Sequence, residues 1–534
     1  PEAQVINMKV FKASGGASCD DILAALEDCM LLGVDAVNMS LGSTCGFIDY
    51  ESQDEWTMNL VNVFNRVGES GISMAVAVGN DYSAAYNNNY GGRSLASNPD
   101  YGNASEPATY DESLAIASVE NCGILSPYIT VAGRDIAYYD GYDADTSAVT
   151  VEYAFRTLGT GEKEYVMVPG TGAAEDYEGL DVTGKIAVVQ RGGTYYEVKA
   201  RNAAAAGAVG LIVYNNQPGM VYMSMSAWSI PVAFISQADG AYLAQQENQV
   251  LTIAAKDALV TSPVTGMSDF SSWGATSELT LKPELSAPGG NIYSAVLNNG
   301  YANMSGTSMA SPHMAGLSAL AKQYIMSDSK FASFSEGEKI NLVSAMLMAT
   351  AEPLARGENS YYSPRQQGAG LANIQAVASA KAYLTVEGAD PAKPKAELGD
   401  GTGPFSFTFT VHNLTGDALT YTLDAAALSE EIVDGYFQQK SKNYAGNGIA
   451  ISYDGATEDG TVSVPGHGAA TVTVTITPEE SFRAAVAEAV NGTFLDGFVF
   501  LTAGEGSGCT GHTGSDQKTP AGNAMVVHLC FSLL

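Results

Sequence analysis

The residues with the clearest capacity for chemistry lie in the string Asn303-Met304-Ser305-Gly306-Thr307-Ser308-Met309-Ala310-Ser311-Pro312-His313-Met314-Ala315-Gly316. Gly306 leads into Thr307 and Ser308, and a helical pattern then runs through Leu317, Leu320, Ala321 and Ile325. Ser308 therefore falls at a helix N-terminus, where unpaired backbone N–H groups and the positive end of the dipole favour an anion. A serine in that place can attack a carbonyl and bind the oxyanion that forms. An ordinary Ser cap is the plainer use of the same position. Asn80, in Gly79-Asn80-Asp81 after an apolar strand, offers a side-chain amide to such an oxyanion, although Gly-Asn also suits a simple turn.

The elements that must hold these groups read as an α/β sheet. Val5 to Phe11 alternates like a strand, Ser18 caps a helix with Asp20 and Asp21 in its first turn, and Ile22, Leu26, Cys29 and Met30 share one face. Gly33 ends that helix, and Asp35 to Met39 reads as the next strand, which makes a βαβ unit. Ser40-Leu41-Gly42-Ser43 follows at the strand's C-terminal end, where α/β sheets bind ligands. A helix is expected from about Asp54 to Val67, a strand from Ile72 to Val78, and another through Ala115 to Val119.

The character changes over residues 122–262, where strands at 183–190, 209–214 and 230–235 flank an Ala-rich helix from Tyr195 to Ala206. Arg191-Gly192-Gly193 lacks the Lys-Ser/Thr ending of a phosphate loop and reads as a turn. The first pattern returns with Phe270-Ser271-Ser272-Trp273-Gly274 and Ser286-Ala287-Pro288-Gly289. A helix is expected from Ser335 to Ala351, a loop from Ser363 to Gly370 and a short helix from Ile374 to Ala380. From about Leu384 the pattern is β, with Phe405, Phe407, Phe409 and Val411 alternating and Val472, Val474 and Ile476 doing the same, as in a β-sandwich.

With 534 residues the chain is too long for one core. Its 25 basic and 58 acidic residues give a net charge of −33, which disfavours nucleic acid and anionic membrane surfaces and suits a soluble extracellular protein or one that meets cationic partners. No apolar run is long enough to span a bilayer, so no membrane insertion is expected. The six cysteines are scattered without C-x-x-C pairs, and Cys19 and Cys29 read as small buried hydrophobes on one helix. Cys509, His512, His528 and Cys530 fit no common zinc spacing, so no metal site is assigned. The acidic stretch from Asp140 to Asp145 suggests calcium but shows no EF-hand pattern, and no cofactor is required.

The string Gly306 to Gly316 resembles the nucleophile signature of subtilisin-like serine peptidases, with Ser308 as the matching nucleophile. It is unlike the G-x-S-x-G elbow of α/β-hydrolases, because Ala310 stands where that motif has glycine. Ser40-Leu41-Gly42, Gly79-Asn80, Phe270 to Gly274 and Ser286 to Gly289 match the same family, in its order. The resemblance implies a subtilisin-like three-layer fold with a parallel sheet. It also implies a Ser-His-Asp endopeptidase acting on protein or peptide substrates, with Asn80 in the oxyanion hole and substrate contacts from Ser40, Leu41, Gly42, Ala77, Val78, Gly79, Gly306 and Thr307.

Peptidase segments at 1–121 and 263–384 would then flank an insertion at 122–262 that resembles a protease-associated domain. Residues 385–534 resemble the fibronectin-III-like domain of cell-envelope proteinases of the lactocepin and C5a-peptidase type, so an extracellular or cell-wall setting in a bacterium is expected. The family's Asp and His are not matched. None of the five histidines (His313, His412, His467, His512, His528) stands in a His-Gly-Thr-type motif, and Pro1 falls just beyond the segments that carry them. The expectation is a chain cut at its N-terminus and inactive alone, with an altered or early end after about Gly508. The rivals are a non-catalytic surface binding module on the same scaffold and, less favoured, a serine esterase or transferase.

Overall fold

The computed structural model describes residues 3–84, 94–99, 101–143, 149–216, 223–261, 266–297, 299–357 and 359–503, with the backbone alone at 124 and 524–533. The chain forms two units, one of Pro1–Val119, Phe270–Gly289 and Gly306–Leu534, the other of Glu120–Asp269 and Gly290–Ser305.

The first unit contains a four-stranded sheet in the order Ala36–Met39, Ser73–Ala77, Leu114–Glu120, Leu285–Gly290. The first three strands pair in parallel, with Val37 opposite Met74 and Val76 opposite Ala115. The inner strands are buried along nearly their whole length, as expected of a parallel sheet covered on both faces. The helix Glu55–Glu69 is capped by the Asp54 carboxylate and turns Leu60, Val63, Phe64 and Val67 inward. The helices Thr307–Ser327 and Glu336–Ala349 share a core with the sheet, in which Ala310, Met314, Ala321, Leu342 and Met346 join Ala75, Ile116 and Leu285.

The same unit carries a β-sandwich. One sheet runs Ala382–Val386, Phe405–Asn413, Ala469–Pro478, Ile449–Asp454, all antiparallel. The other joins Lys395–Gly401, Ala524–Leu533, Thr493–Ala503, Leu419–Val433 and Tyr436–Asn443. The alternation in Phe405–Asn413 has its expected effect: Phe405, Phe407, Phe409 and Val411 are buried against Val472, Val474, Leu495 and Leu501.

The second unit has an eight-stranded sheet whose centre is parallel: Gly161–Met167, Ile186–Gln190, Gly210–Tyr214 and Val232–Ile235 lie side by side. The helix Tyr196–Ala205 buries Ala200 and Ala203, small enough to lie close on the sheet. Gly192 and Gly193 both adopt positive φ, consistent with a turn, and the Gly192 carbonyl accepts from the buried Lys199.

Three expectations need correction. Val5 to Phe11 is not a strand: it makes only an isolated bridge between Phe11 and Ala17, and Val5 is 91% exposed. β-propensity alone does not make a strand, and among the described residues no other segment forms a ladder with 5–11. Cys19 is exposed rather than buried, because it is the first residue of its helix, while Cys29, on the inner face, is buried. The stretch 363–370 is not all loop, since Ser363 caps a one-turn helix, Pro364–Gln367, with proline at its first position. Cys509 and His512 lie outside the described residues, as do the side chains of His528 and Cys530.

Candidate active site

Ser308 is the second residue of the helix Thr307–Ser327 and is partly exposed. Pro312 lies inside this helix and has no N–H for the Ser308 carbonyl four residues earlier. Ser40 takes that role from outside the helix: its hydroxyl donates to the Ser308 carbonyl at 2.7 Å and accepts from Asn38 Nδ2 at 3.0 Å. Ser311 donates to Asn38 Oδ1 at 2.6 Å. The helix start is thus tied to the end of the strand Ala36–Met39 by side chains that replace a bond the proline removes.

Asn80 is exposed and is held by its carbonyl end. Its Oδ1 accepts from the Thr307 N–H at 2.8 Å and from Thr307 Oγ1 at 3.0 Å. Thr307 Oγ1 in turn accepts from the Gly79 N–H at 3.1 Å. With Oδ1 anchored, the amide nitrogen is the free end of the side chain. It lies near Gly306: a Cβ built there would lie 3.5 Å from Asn80 Nδ2 and 3.6 Å from the Ser308 nitrogen. Asn80 Nδ2, the Ser308 nitrogen and Met309 Sδ therefore border the same space beside Gly306, which a side chain at 306 would enter.

The turn carrying Asn80 is fixed by Ser272. The Ser272 N–H donates to the Gly79 carbonyl at 3.0 Å, and its hydroxyl accepts from the Asp81 N–H at 3.2 Å. Gly79 has φ +113, and a Cβ on it would lie 2.4 Å from Ser105 Oγ and 2.7 Å from Ser272 Oγ, so the position needs glycine on both counts. Gly42 is similarly close-packed, since a Cβ there would lie 2.7 Å from the Glu106 carbonyl.

Ser308, Asn80, Thr307, Gly306, Gly79 and Ser40 are therefore linked directly. Leu41 is partly exposed and Gly42 exposed on the segment after Ser40, while the Ala77 and Val78 side chains are buried and only their backbone follows the strand end. Among the described residues no side chain accepts from Ser308 Oγ. His313, five residues on, is exposed with Nδ1 3.0 Å from the Met309 carbonyl oxygen. Asp140 accepts from the Phe155 N–H, and no group of three or more metal-ligating side chains occurs among the described residues; part of the 140–145 stretch lies outside them.

Sequence reasoning missed Asn38 and Ser311 as supports and gave Ser272 no role beyond its motif. The available signal was Pro312, because a proline inside a helix leaves a carbonyl that something else must satisfy.

Residues 1–370 match the Subtilase family, and residues 396–511 match an Fn3-like domain. The chain belongs to the subtilase family. This subtilase is 32% identical over 511 residues to a C5a peptidase of Streptococcus pyogenes, an alignment covering 93% of this chain and 40% of that protein. It is 33% identical over 464 residues to the PII-type proteinase of Lacticaseibacillus paracasei and to the PI-type proteinase of Lactococcus lactis subsp. cremoris, covering 80% of this chain and 23% of each. The chain thus spans less than half the length of these relatives.

Proposed function

We propose that this subtilase chain supplies the nucleophile and the oxyanion-binding groups of a secreted serine endopeptidase. The observation that supports the reading is that Asn80 Nδ2 and the Ser308 nitrogen lie beside the same space at Gly306, with Asn80 Oδ1 held by Thr307. Ser308 Oγ attacks the scissile carbonyl, and the two donors bind the oxygen as it gains charge. The amine leaves with a proton, an acyl-enzyme forms on Ser308, and water hydrolyses it. The substrate is a protein or peptide running past Ser40-Leu41-Gly42 and Ala77-Val78-Gly79, whose backbones flank the site.

The proton acceptor in this reading is a histidine outside these 534 residues, oriented by an aspartate, so the chain alone does not turn over peptides. We read residues 122–262 as a protease-associated insertion between the peptidase segments 1–121 and 263–384, and the intact protein as extracellular or cell-wall bound. Similarity to C5a peptidase and to the PI- and PII-type proteinases supports this reading.

Sequencing the coding DNA upstream of the Pro1 codon is the first test. An Asp-bearing strand end followed by a His-Gly-Thr-type motif is expected. An open frame with other residues at those places overturns the peptidase and leaves a binding module. Casein hydrolysis by the whole encoded protein, abolished by Ser308→Ala, is the second test.

A further inference from the structure

The second unit encloses a cavity of about 510 Å³ that the proposed reaction does not use. Its wall is largely apolar, with Ile136, Ala137, Ala238, Ala241 and Val260 among the lining residues, and Glu120, Asp135 and Asp239 also line it. Glu120 packs against Gly290, where any Cβ would lie 2.2 Å from Glu120 Oε1, so glycine leaves the room the carboxyl occupies.

The charge balance around Glu120 is unusual for this unit. The buried Asp239 and the half-buried Asp140 and Asp269 each have an arginine acting on them: Arg134 on Asp239, Arg156 on Asp140 and Arg191 on Asp269. Glu120 has none among the described residues. Burial pushes its carboxyl up to about 7, the Ser268 hydroxyl opposes this, and Asp269 adds to it. A buried carboxylate without a cation is costly, and an arriving cation would relieve that cost. The apolar wall selects an organic cation with an aliphatic stem over a bare metal ion, which needs several oxygen ligands.

We propose that this cavity binds a basic side chain, arginine or lysine, of a partner polypeptide, with its cationic head on Glu120 and its stem along Ile136, Ala137 and Val260. The site is independent of Ser308 and stands whether or not the chain takes part in peptide hydrolysis. The net charge of −33 draws such a partner toward the protein as a whole.

The test titrates the full chain with Nα-acetyl-arginine amide and with its neutral isostere Nα-acetyl-citrulline amide, read by NMR shift changes or calorimetry. Saturable binding is expected for arginine, with citrulline about tenfold weaker because it lacks the charge-assisted bond. Glu120→Gln should abolish the preference. Ala241→Phe, a change at an exposed position on the helix Gln237–Ala244, should block both probes and leave Glu120 in place should Glu120→Gln fail to fold. Equal binding of the two probes, a preference that survives Glu120→Gln, binding unchanged in Ala241→Phe, or no saturation at all would each overturn the proposal.

Discussion

Replacing Arg365 with methionine should loosen the joint between the peptidase fold and the β-sandwich. Arg365 is 1% exposed, and its Nε donates to Asp496 Oδ2 at 2.9 Å while Nη2 lies 3.3 Å from Glu430 Oε2. Both carboxylates belong to the sandwich, and the guanidinium also lies 4.2 Å from the centre of the Phe494 ring. Burial raises the Asp496 pKa, and Arg365 is the main group opposing it; Glu430 is raised well above the usual carboxylate range by burial and by Asp496. Methionine fills the apolar part of the space but leaves two buried carboxyls with no cation. Breaking a buried pair in this way costs about 3–5 kcal/mol.

The sign of the pH dependence follows from the same groups. Removing Arg365 raises the folded-state pKa of Asp496 further, so the folded variant holds protons that its unfolded chain releases. The stability those protons confer is present at low pH and lost as pH rises through the raised values. The deficit against wild type should therefore be full near pH 8 and shrink toward pH 5. Guanidinium unfolding at the two pH values, followed by Trp273 emission in a Trp56→Phe, Trp228→Phe background, measures it; the Arg365 guanidinium lies 5.5 Å from the Trp273 ring. A loss below about 1 kcal/mol, the range of a surface substitution, or a deficit that grows on acidification, would show that Arg365 is not the group holding these carboxylates.

Two further outcomes are expected. In the whole encoded protein, Asn80→Ala should lower kcat by about 10²–10³ with little change in KM, the magnitude known for removing the oxyanion asparagine of subtilisin. Gly306→Ala should lower the melting temperature as well as kcat, because Gly306 has φ +159 and ψ 156, a backbone conformation that an L side chain strains even though its nearest neighbours would be at 3.5–3.6 Å; a kcat of Asn80→Ala within a few-fold of wild type would place the oxyanion elsewhere. Glu284→Gln should destabilise the fold at neutral pH by about 3–5 kcal/mol. Glu284 is fully buried; burial alone would raise its pKa, but Lys282, Lys393 and Lys395 outweigh it and hold the carboxyl down at about 2. That stability is present above the unfolded value and lost as pH falls toward 2, so acid-unfolding curves of variant and wild type should converge there, and parallel curves would refute the assignment.

How much was legible beforehand varies with the kind of interaction. The placement of Ser308 on a helix start, the glycine at 306, the turn at Gly79-Asn80 and the alternation of Phe405 to Val411 all follow from local sequence. Each depends on backbone preference or periodicity within a few residues. Val5 to Phe11 shows the limit, since its pattern is that of a strand, yet strand formation needs an edge supplied by another segment.

The sequence by itself determined which residues are candidates for the chemistry, because the candidate nucleophile and its helix start are neighbours along the chain and both they and the Gly79-Asn80 turn stand in recognisable strings. Only the tertiary structure decided how they are held. Thr307 locks Asn80 across 227 residues of sequence, Ser40 satisfies the carbonyl that Pro312 leaves open across 268, and Arg365 meets Asp496 across 131. Such bonds depend on which polar groups folding buries without a local partner, and that is settled by packing rather than by the order of residues.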